Sequence, residues 1–211
     1  MTMTDLHTNF VRRSLNSHYA LWRWWLVAMA GLVTARFVQL FWLDPAYAQS
    51  QYPVAFYVGQ TTFNAIELKG YYQVMLDKGT LSQYWLTQCI DFVFIACTYW
   101  AFFALTQSIF HSIKRLQPGA LRWQAVAKFF CLIAPLAAVA DMAENLVSFI
   151  MLLQPVSFLD MWVYPYSSFA VIKFALFAFT YLWSVLAGLA LVVMLAARSF
   201  KYLFTQKATI H

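Results

Sequence analysis

Charged side chains are scarce in this sequence. Asp, Glu, Lys and Arg make up 10% of its 211 residues, whereas soluble domains average about 25%. Hydrophobic residues make up 63% of the chain, and its mean hydropathy is +0.62. Because so few charges cannot cover the surface of a domain in water, the composition excludes an ordinary soluble protein. It predicts an integral membrane protein.

Residues that bind metals or cofactors are also few, and their positions do not suit such a role. The cysteines lie in or beside apolar runs without a C-x-x-C pair, and the histidines lie in tails or a loop: Cys89, Cys97, Cys131, His7, His18, His111 and His211. A haem in a helical bundle needs histidines at membrane depth. Dinucleotide, phosphate-loop, zinc-protease and serine-hydrolase motifs are missing as well. We therefore expect no cofactor and no metal.

The net charge of +6 raises the question of nucleic acid binding. The basic residues, however, form no patch with interleaved aromatics. They stand at the ends of apolar runs, where membrane topology explains them. We therefore expect membrane lipid, and not nucleic acid, to be the partner of this chain.

Four apolar runs are long enough to cross a bilayer. They cover about residues 22–43, 86–110, 124–153 and 166–197. A helix rises 1.5 Å per residue, so each run can cross a hydrocarbon core of about 30 Å. The predicted fold is all-α, a polytopic four-transmembrane-helix bundle in a single domain over residues 1–211.

The long loop between the first two runs predicts one additional helix, over residues 62–76. Its polar residues include Glu67, and it is too short and too polar to span the membrane. An amphipathic helix at the interface, or a cap over the bundle mouth, fits this pattern. The apolar side predicted for this helix consists of Phe63, Ile66, Tyr71, Val74 and Met75.

Lys and Arg are concentrated on one side of the predicted bundle. They flank the first run, the turn between the second and third runs, and the tail: Arg12, Arg13, Arg23, Lys114, Arg115, Arg122, Arg198, Lys201 and Lys207. The opposite loops hold only Lys69 and Lys78, which four acidic residues offset. The positive-inside rule then predicts that both termini are cytoplasmic.

The third run contains Asp141, Glu144 and Asn145, spaced i, i+3, i+4, so a helix presents all three on one face. A charged group at bilayer depth costs roughly 2.5–3.5 kcal/mol, so this face should point into the bundle. Pro135 predicts a kink shortly before it. Two interpretations stay open: the carboxylates pair with basic residues to lock the bundle, or they bind a ligand or handle protons.

The other predicted spans carry polar groups at a similar depth. These are Arg36 in the first, Asp91 in the second and Lys173 in the fourth, with Tyr99 on the same face as Asp91. Taken singly, the basic groups could snorkel to headgroups, Asp91 could be hydrated and Tyr99 could be a packed aromatic. Their matched depth and opposite signs instead predict one cluster with Asp141, Glu144 and Asn145.

If all its members are ionised, that cluster has one negative charge in excess. In a low-dielectric site the excess favours protonation of Glu144 or Asp141. Such a group could exchange a proton near neutral pH. We therefore take Asp141 and Glu144 as candidate catalytic groups and the other members of the cluster as candidate ligand-binding groups.

These motifs resemble those of small bacterial four-helix membrane proteins of uncharacterised function. Asp91 and Phe94 match a D-x-x-F pattern, with Tyr99 one place later than the tyrosine of that pattern. The other similarities, over roughly residues 60 to 180, are D-x-x-E-N at Asp141, Lys173-Phe174 and the stretch Phe63 to Leu76 with Glu67. The resemblance implies a bacterial inner membrane protein whose polar residues act as a set, including Glu67, but it implies no reaction.

Three functions remain open at this stage. The first is a pocket protein or enzyme that binds a lipid-like or isoprenoid molecule and moves a proton to or from it. The second is a proton-coupled transporter working as a homo-oligomer, although the sequence has no internal repeat. The third is a structural or assembly partner whose ion pairs only set the register of the helices.

Overall fold

The computed structural model describes residues 8–11, 14–15 and 21–208, with side chains as far as residue 200. Four of its helices are long and apolar enough to cross a membrane, and we call them spans 1 to 4: Leu21–Gln49, Leu81–Leu116, Leu121–Leu152 and Asp160–Phe200. None of the described residues forms a strand. The all-α, four-span fold class predicted from the sequence is confirmed.

Several of the spans contain breaks. In chain order the helices are α1 (Leu21–Val38), a π-helical turn (Gln39–Leu43), α2 (Asp44–Gln49), α3 (Phe56–Gln60), α4 (Ala65–Asp77), α5 (Leu81–Leu116), α6 (Leu121–Ile133), α7 (Leu136–Leu152), a 3-10 turn (Asp160–Trp162) and α8 (Val163–Ala208). Span 1 therefore comprises α1, the π turn and α2, and span 3 comprises α6 and α7.

The outer surface of the spans is apolar. Val33, Leu146, Val185 and Val193 are each more than half exposed, while Asp141, Glu144, Asn145 and Lys173 are buried. This is the reverse of a soluble protein, in which charged side chains face water. The arrangement suits a bilayer, because lipid tails solvate aliphatic side chains and penalise unpaired polar groups.

Span 1 packs against span 2 through small residues. Ala28, Ala35 and Val38 are the buried positions of α1. Gly31 lies on the same stripe, and a Cβ atom added to it would be only 2.9 Å from the Cα atom of Ala101 in span 2. The two backbones therefore approach closely, which is typical of helix packing in membranes.

Span 3 is interrupted at Ala134 and Pro135, between α6 and α7. Proline lacks the N–H group of the helical ladder and its ring clashes with the preceding turn. The interruption predicted at Pro135 is thus confirmed. The second half of the span, α7, carries Asp141, Glu144 and Asn145.

The extra helix predicted at residues 62–76 is present as α4. It begins at Ala65 because Asn64 caps it, with its side chain accepting hydrogen bonds from the N–H groups of Ile66 and Glu67 at 3.0 and 3.3 Å. Its second turn is tied to the start of span 4, because Lys69 and Asp160 form an ion pair of 2.5 Å.

The predicted apolar side of α4 was right in part: Met75 is buried and Tyr71 packs against the same core, but Ile66 and Phe63 do not belong to it. Ile66 is 81% exposed, and Phe63 precedes the helix. The fully buried side chains are Leu68, Tyr72 and Met75, which follow the i, i+4, i+7 spacing of one helical face. They pack with Val147, Met151, Phe158 and Tyr166, so α4 covers one end of spans 2 to 4.

Candidate functional site

The acidic motif of span 3 points into the bundle. Asp141, Glu144, Asn145 and Ser148 share one face of α7, and none is more than 3% exposed. The prediction that this face avoids lipid is confirmed. The physical reason is the cost of placing a carboxylate or an amide in hydrocarbon without a partner.

Lys173 joins span 4 to this face. Its Nζ atom lies 2.7 Å from Oδ1 of Asp141 and 2.5 Å from Oε2 of Glu144. Lys173 is 4% exposed, so water does not screen these contacts. Because the ammonium group carries a single positive charge, it can offset the charge of only one of the two carboxylates that it contacts.

Span 2 joins the site through Asp91. The amide nitrogen of Asn145 donates a hydrogen bond of 2.8 Å to Oδ2 of Asp91. Within the described part of the chain, no Lys or Arg lies within ion-pair distance of Asp91. Three carboxyl groups from spans 2 and 3 therefore lie in one site with a single ammonium group, which contacts Asp141 and Glu144 but not Asp91.

The prediction that Arg36 belongs to this cluster was wrong. Arg36 is exposed, and its guanidinium group donates a 2.9 Å hydrogen bond to Oε1 of Gln39 on the same span. The buried stripe of α1 runs through Ala28, Ala35 and Val38, and position 36 falls outside it. The position of Arg36 along span 1 matches the depth of the cluster in the membrane. Its direction around the helix axis does not, because it lies outside the buried stripe.

Two other predicted ligand-binding residues also lie apart from the cluster. Tyr99 is half-buried and packs edge-on against Trp100, while the neighbouring Thr98 faces the cavity described below. Glu67 is exposed and accepts hydrogen bonds from Thr62 at 2.6 Å and from Asn64 at 3.1 Å. Its contacts stabilise the start of α4.

A cavity of about 450 Å³ lies beside the ion pairs and is lined by residues from all four spans. Asp91, Asp141 and Lys173 form part of its wall. Much of the remaining wall is aromatic: Tyr47, Phe56, Phe94, Phe174, Phe177 and Tyr181. A volume of this size and an apolar wall with a few polar groups are typical of small-molecule sites.

Span 1 contributes to this cavity through its π-helical turn. Gln39 and Leu43 from the turn line the cavity, and the N–H group of Asp44 donates to the carbonyl of Gln39, five residues back. Pro45 follows directly and cannot donate to the helical ladder. Sequence analysis missed this contribution, although a proline next to an apolar run was the available signal.

A tyrosine cluster was missed as well. Tyr72, Tyr84 and Tyr166 are at most 2% exposed and pack in one core between α4 and the spans. Each is close enough to Glu144 to interact with it electrostatically. Burial raises the pKa of Tyr72 well above its usual range, so its phenol stays neutral. No pattern in the sequence brings these three positions together.

Glu144 and Asp141 therefore have different surroundings. Asp141 lines the cavity, whereas Glu144 lies behind Lys173, next to the tyrosine cluster. Among the described residues, no group of three His, Cys, Asp or Glu side chains has the geometry of a metal site. Comparison with protein families, curated proteins and solved structures finds no match for this chain.

Proposed function

We propose that this protein is a multi-pass protein of the bacterial inner membrane that binds a lipid-like or isoprenoid molecule in the cavity. A proton is exchanged with that molecule through the carboxyl groups at its wall. The observation that carries the proposal is a cavity that is apolar over most of its surface, with charged groups at Asp44, Asp91, Asp141 and Lys173.

The charge balance supports proton exchange. The site holds three carboxyl groups, Asp91, Asp141 and Glu144, but one ammonium group, and a low-dielectric site opposes uncompensated negative charge. At least one of the carboxyl groups therefore holds a proton in the resting state. Asp91 and Asp141 border the cavity, and Lys173 stabilises the carboxylate of Asp141 once its proton has left.

Closing the cavity tests the binding proposal. The substitution Thr98→Trp places a large ring at a buried wall position, and we expect the purified protein to lose its bound molecule. Ala96→Trp, two residues away on the exposed side of span 2, is the matched control and should keep it. Lipidomic mass spectrometry of the protein extracted from native membranes measures both variants.

Equal recovery of every co-purified lipid from the wild type and both variants would count against a specific ligand. Loss of a molecule from both tryptophan variants would instead point to a general disturbance of span 2. Only selective loss from Thr98→Trp supports occupation of the cavity.

A structural role is the second candidate, and one observation favours it. Lys173 connects span 4 to span 3, and Asn145 connects span 3 to Asp91 of span 2. Such contacts can set the register of three helices without any ligand. The resemblance to bacterial four-helix membrane proteins is compatible with either function.

A further inference from the structure

The cavity wall carries more negative than positive charge. Asp44, Asp91 and Asp141 line it, and the ammonium group of Lys173 is already shared between Asp141 and Glu144. Lys173 is the only basic residue among the described residues that line the cavity. Asp91 receives a hydrogen bond from Asn145 but contacts no cation, so a cationic ligand head can pair with it.

The uncharged groups near Asp91 add hydrogen-bond acceptors. Gln60 and Gln88 line the cavity and are 8% and 4% exposed, and the side-chain oxygen of each has no hydrogen-bond partner in the described structure. Buried acceptors without donors are costly, so this region favours a ligand that brings N–H or O–H groups.

The polar groups of the cavity are concentrated near the loop between spans 1 and 2, although Gln39 and Thr98 also line it further in. Gln60, Gln88 and Asp91 belong to the end near the loop between spans 1 and 2. Tyr181 follows Lys173 by eight residues on span 4, about 12 Å further along the helix, and lies with Phe177 at the opposite end. A molecule with a small polar head and a long apolar body matches this division.

We infer that the ligand is a lipophilic amine with a primary or secondary amino group and a long apolar chain. This inference rests on the proposed function and names the chemical class of its ligand. The ammonium group pairs with Asp91 and donates N–H bonds to the amide oxygens, and the chain lies along Phe177 and Tyr181. The aromatic faces of the wall further stabilise a cation.

A neutral amine that arrives from the lipid can be charged within the site. Its nitrogen lone pair binds the proton of a carboxyl group, whose O–H electron pair stays on the oxygen. The products are an ammonium and a carboxylate in contact, and no other reactant is needed. An anionic head, by contrast, would meet the carboxylates of Asp44, Asp91 and Asp141.

Photo-crosslinking with matched probes tests this inference. Three probes share a hexadecyl chain with a diazirine and differ only in the head: a primary ammonium, an alcohol and a carboxylate. Each is added to the full chain in lipid nanodiscs, and labelling of the peptide with Phe174 and Phe177 is quantified. We expect the ammonium probe to label this peptide at least about tenfold more than the alcohol probe. For each probe, the specific labelling is the part that an excess of a competitor with the same head but no diazirine abolishes.

Variants of the protein distinguish recognition of the probe's head group from simple partition of the probe into the bilayer. Asp91→Asn keeps the size of the side chain and the contact to Asn145, and should lower labelling by the ammonium probe about tenfold while leaving the alcohol unchanged. Glu67→Gln removes an exposed carboxylate that caps α4 and should change neither. Because Asp91 makes no ion pair with Lys173, this variant does not leave the lysine unpaired.

The outcomes distinguish the two proposals. Equal labelling by ammonium and alcohol, insensitive to Asp91→Asn, would overturn the amine while leaving an apolar ligand in place. Labelling of the cavity peptide by none of the three probes would overturn the proposed function and the amine together. Preference for the carboxylate probe would overturn the amine, because it would mean that the site attracts a negative and not a positive head group.

Discussion

At the scale of single residues, Lys173 has the most consequential environment in the protein. It is 4% exposed and touches Asp141 and Glu144 at 2.7 and 2.5 Å. Removing one partner of a buried ion pair is far more harmful than removing an exposed pair, because it leaves charge without water or counter-ion. Lys69 and Asp160 are the exposed comparison, with an ion pair of 2.5 Å outside the bundle.

Replacing Lys173 by methionine should lower the free energy of unfolding by about 3–5 kcal/mol, because two buried carboxylates lose their cation. The control Lys69→Met should lower it by at most about 1 kcal/mol, because the exposed pair is screened by water. Thermal unfolding in mild detergent, followed by circular dichroism, compares the two variants.

A triple variant relates this prediction to function. Asp141→Leu, Glu144→Leu and Lys173→Met together replace the ion pairs by apolar side chains, and stability should recover most of what Lys173→Met alone loses. If the protein still retains its co-purified molecule, the structural role is favoured over binding. Loss of the molecule from a stable triple variant favours the cavity as a ligand site.

At the scale of the helices, the buried charged groups and the closest backbone packing occur between different pairs of spans. Spans 2, 3 and 4 are connected by Asp91, Asn145 and Lys173, whereas span 1 packs on span 2 through Gly31 and other small residues. The position of span 1, and hence one wall of the cavity, depends on van der Waals packing together with a 3.3 Å hydrogen bond from Nε1 of Trp25 to Oγ of Ser112 in span 2.

The substitution Gly31→Ala should therefore weaken the contact between spans 1 and 2. The added Cβ atom would lie 2.9 Å from a backbone atom of Ala101, which must move, and the expected cost is about 1–3 kcal/mol. Gly188→Ala is the matched control, because its Cβ would meet nothing within 4 Å. In that variant the helix should gain up to about 1 kcal/mol from propensity.

Hydrogen exchange measured by mass spectrometry distinguishes the two glycine variants. Faster exchange of span 1 amides in Gly31→Ala, with unchanged exchange in Gly188→Ala, is the expected result. Identical exchange in both would mean that span 1 is held by something other than its contact with Ala101.

At the scale of the whole molecule, the basic residues mark one end. Lys114, Arg115 and Arg122 lie at the connection of spans 2 and 3, and Arg198 near the end of α8 donates to the carbonyl of Leu116 there. The cavity and the tyrosine cluster lie toward the opposite end, beside α4. This asymmetry supports a cytoplasmic position for both termini under the positive-inside rule.

Thiol labelling of intact spheroplasts tests this orientation. In a variant whose native cysteines are alanine, Lys78→Cys should react with a membrane-impermeant maleimide on spheroplasts, and Gln117→Cys should react only after lysis. Both positions are exposed at loops on opposite ends of span 2. The reverse pattern of reactivity would place the termini outside the cytoplasm.

The sequence alone determined the fold class, the four spans, the break at Pro135 and the inward direction of Asp141, Glu144 and Asn145. Each of these follows from hydropathy or from spacing along one helix, and burying an ionisable group away from lipid leaves one acceptable direction. The existence of α4 was predictable for the same reason, although Asn64 moved its start and Leu68, Tyr72 and Met75 became its buried face.

Only the tertiary structure decided which polar groups meet. Distance along a helix gives the depth of a residue, but the direction around the helix axis depends on where the neighbouring helices pack. Arg36 and Lys173 have similar depth, yet Lys173 reaches two carboxylates while Arg36 faces outward. The cavity and the tyrosine cluster arise from side chains on several elements, and their shape is set by the packing of whole helices.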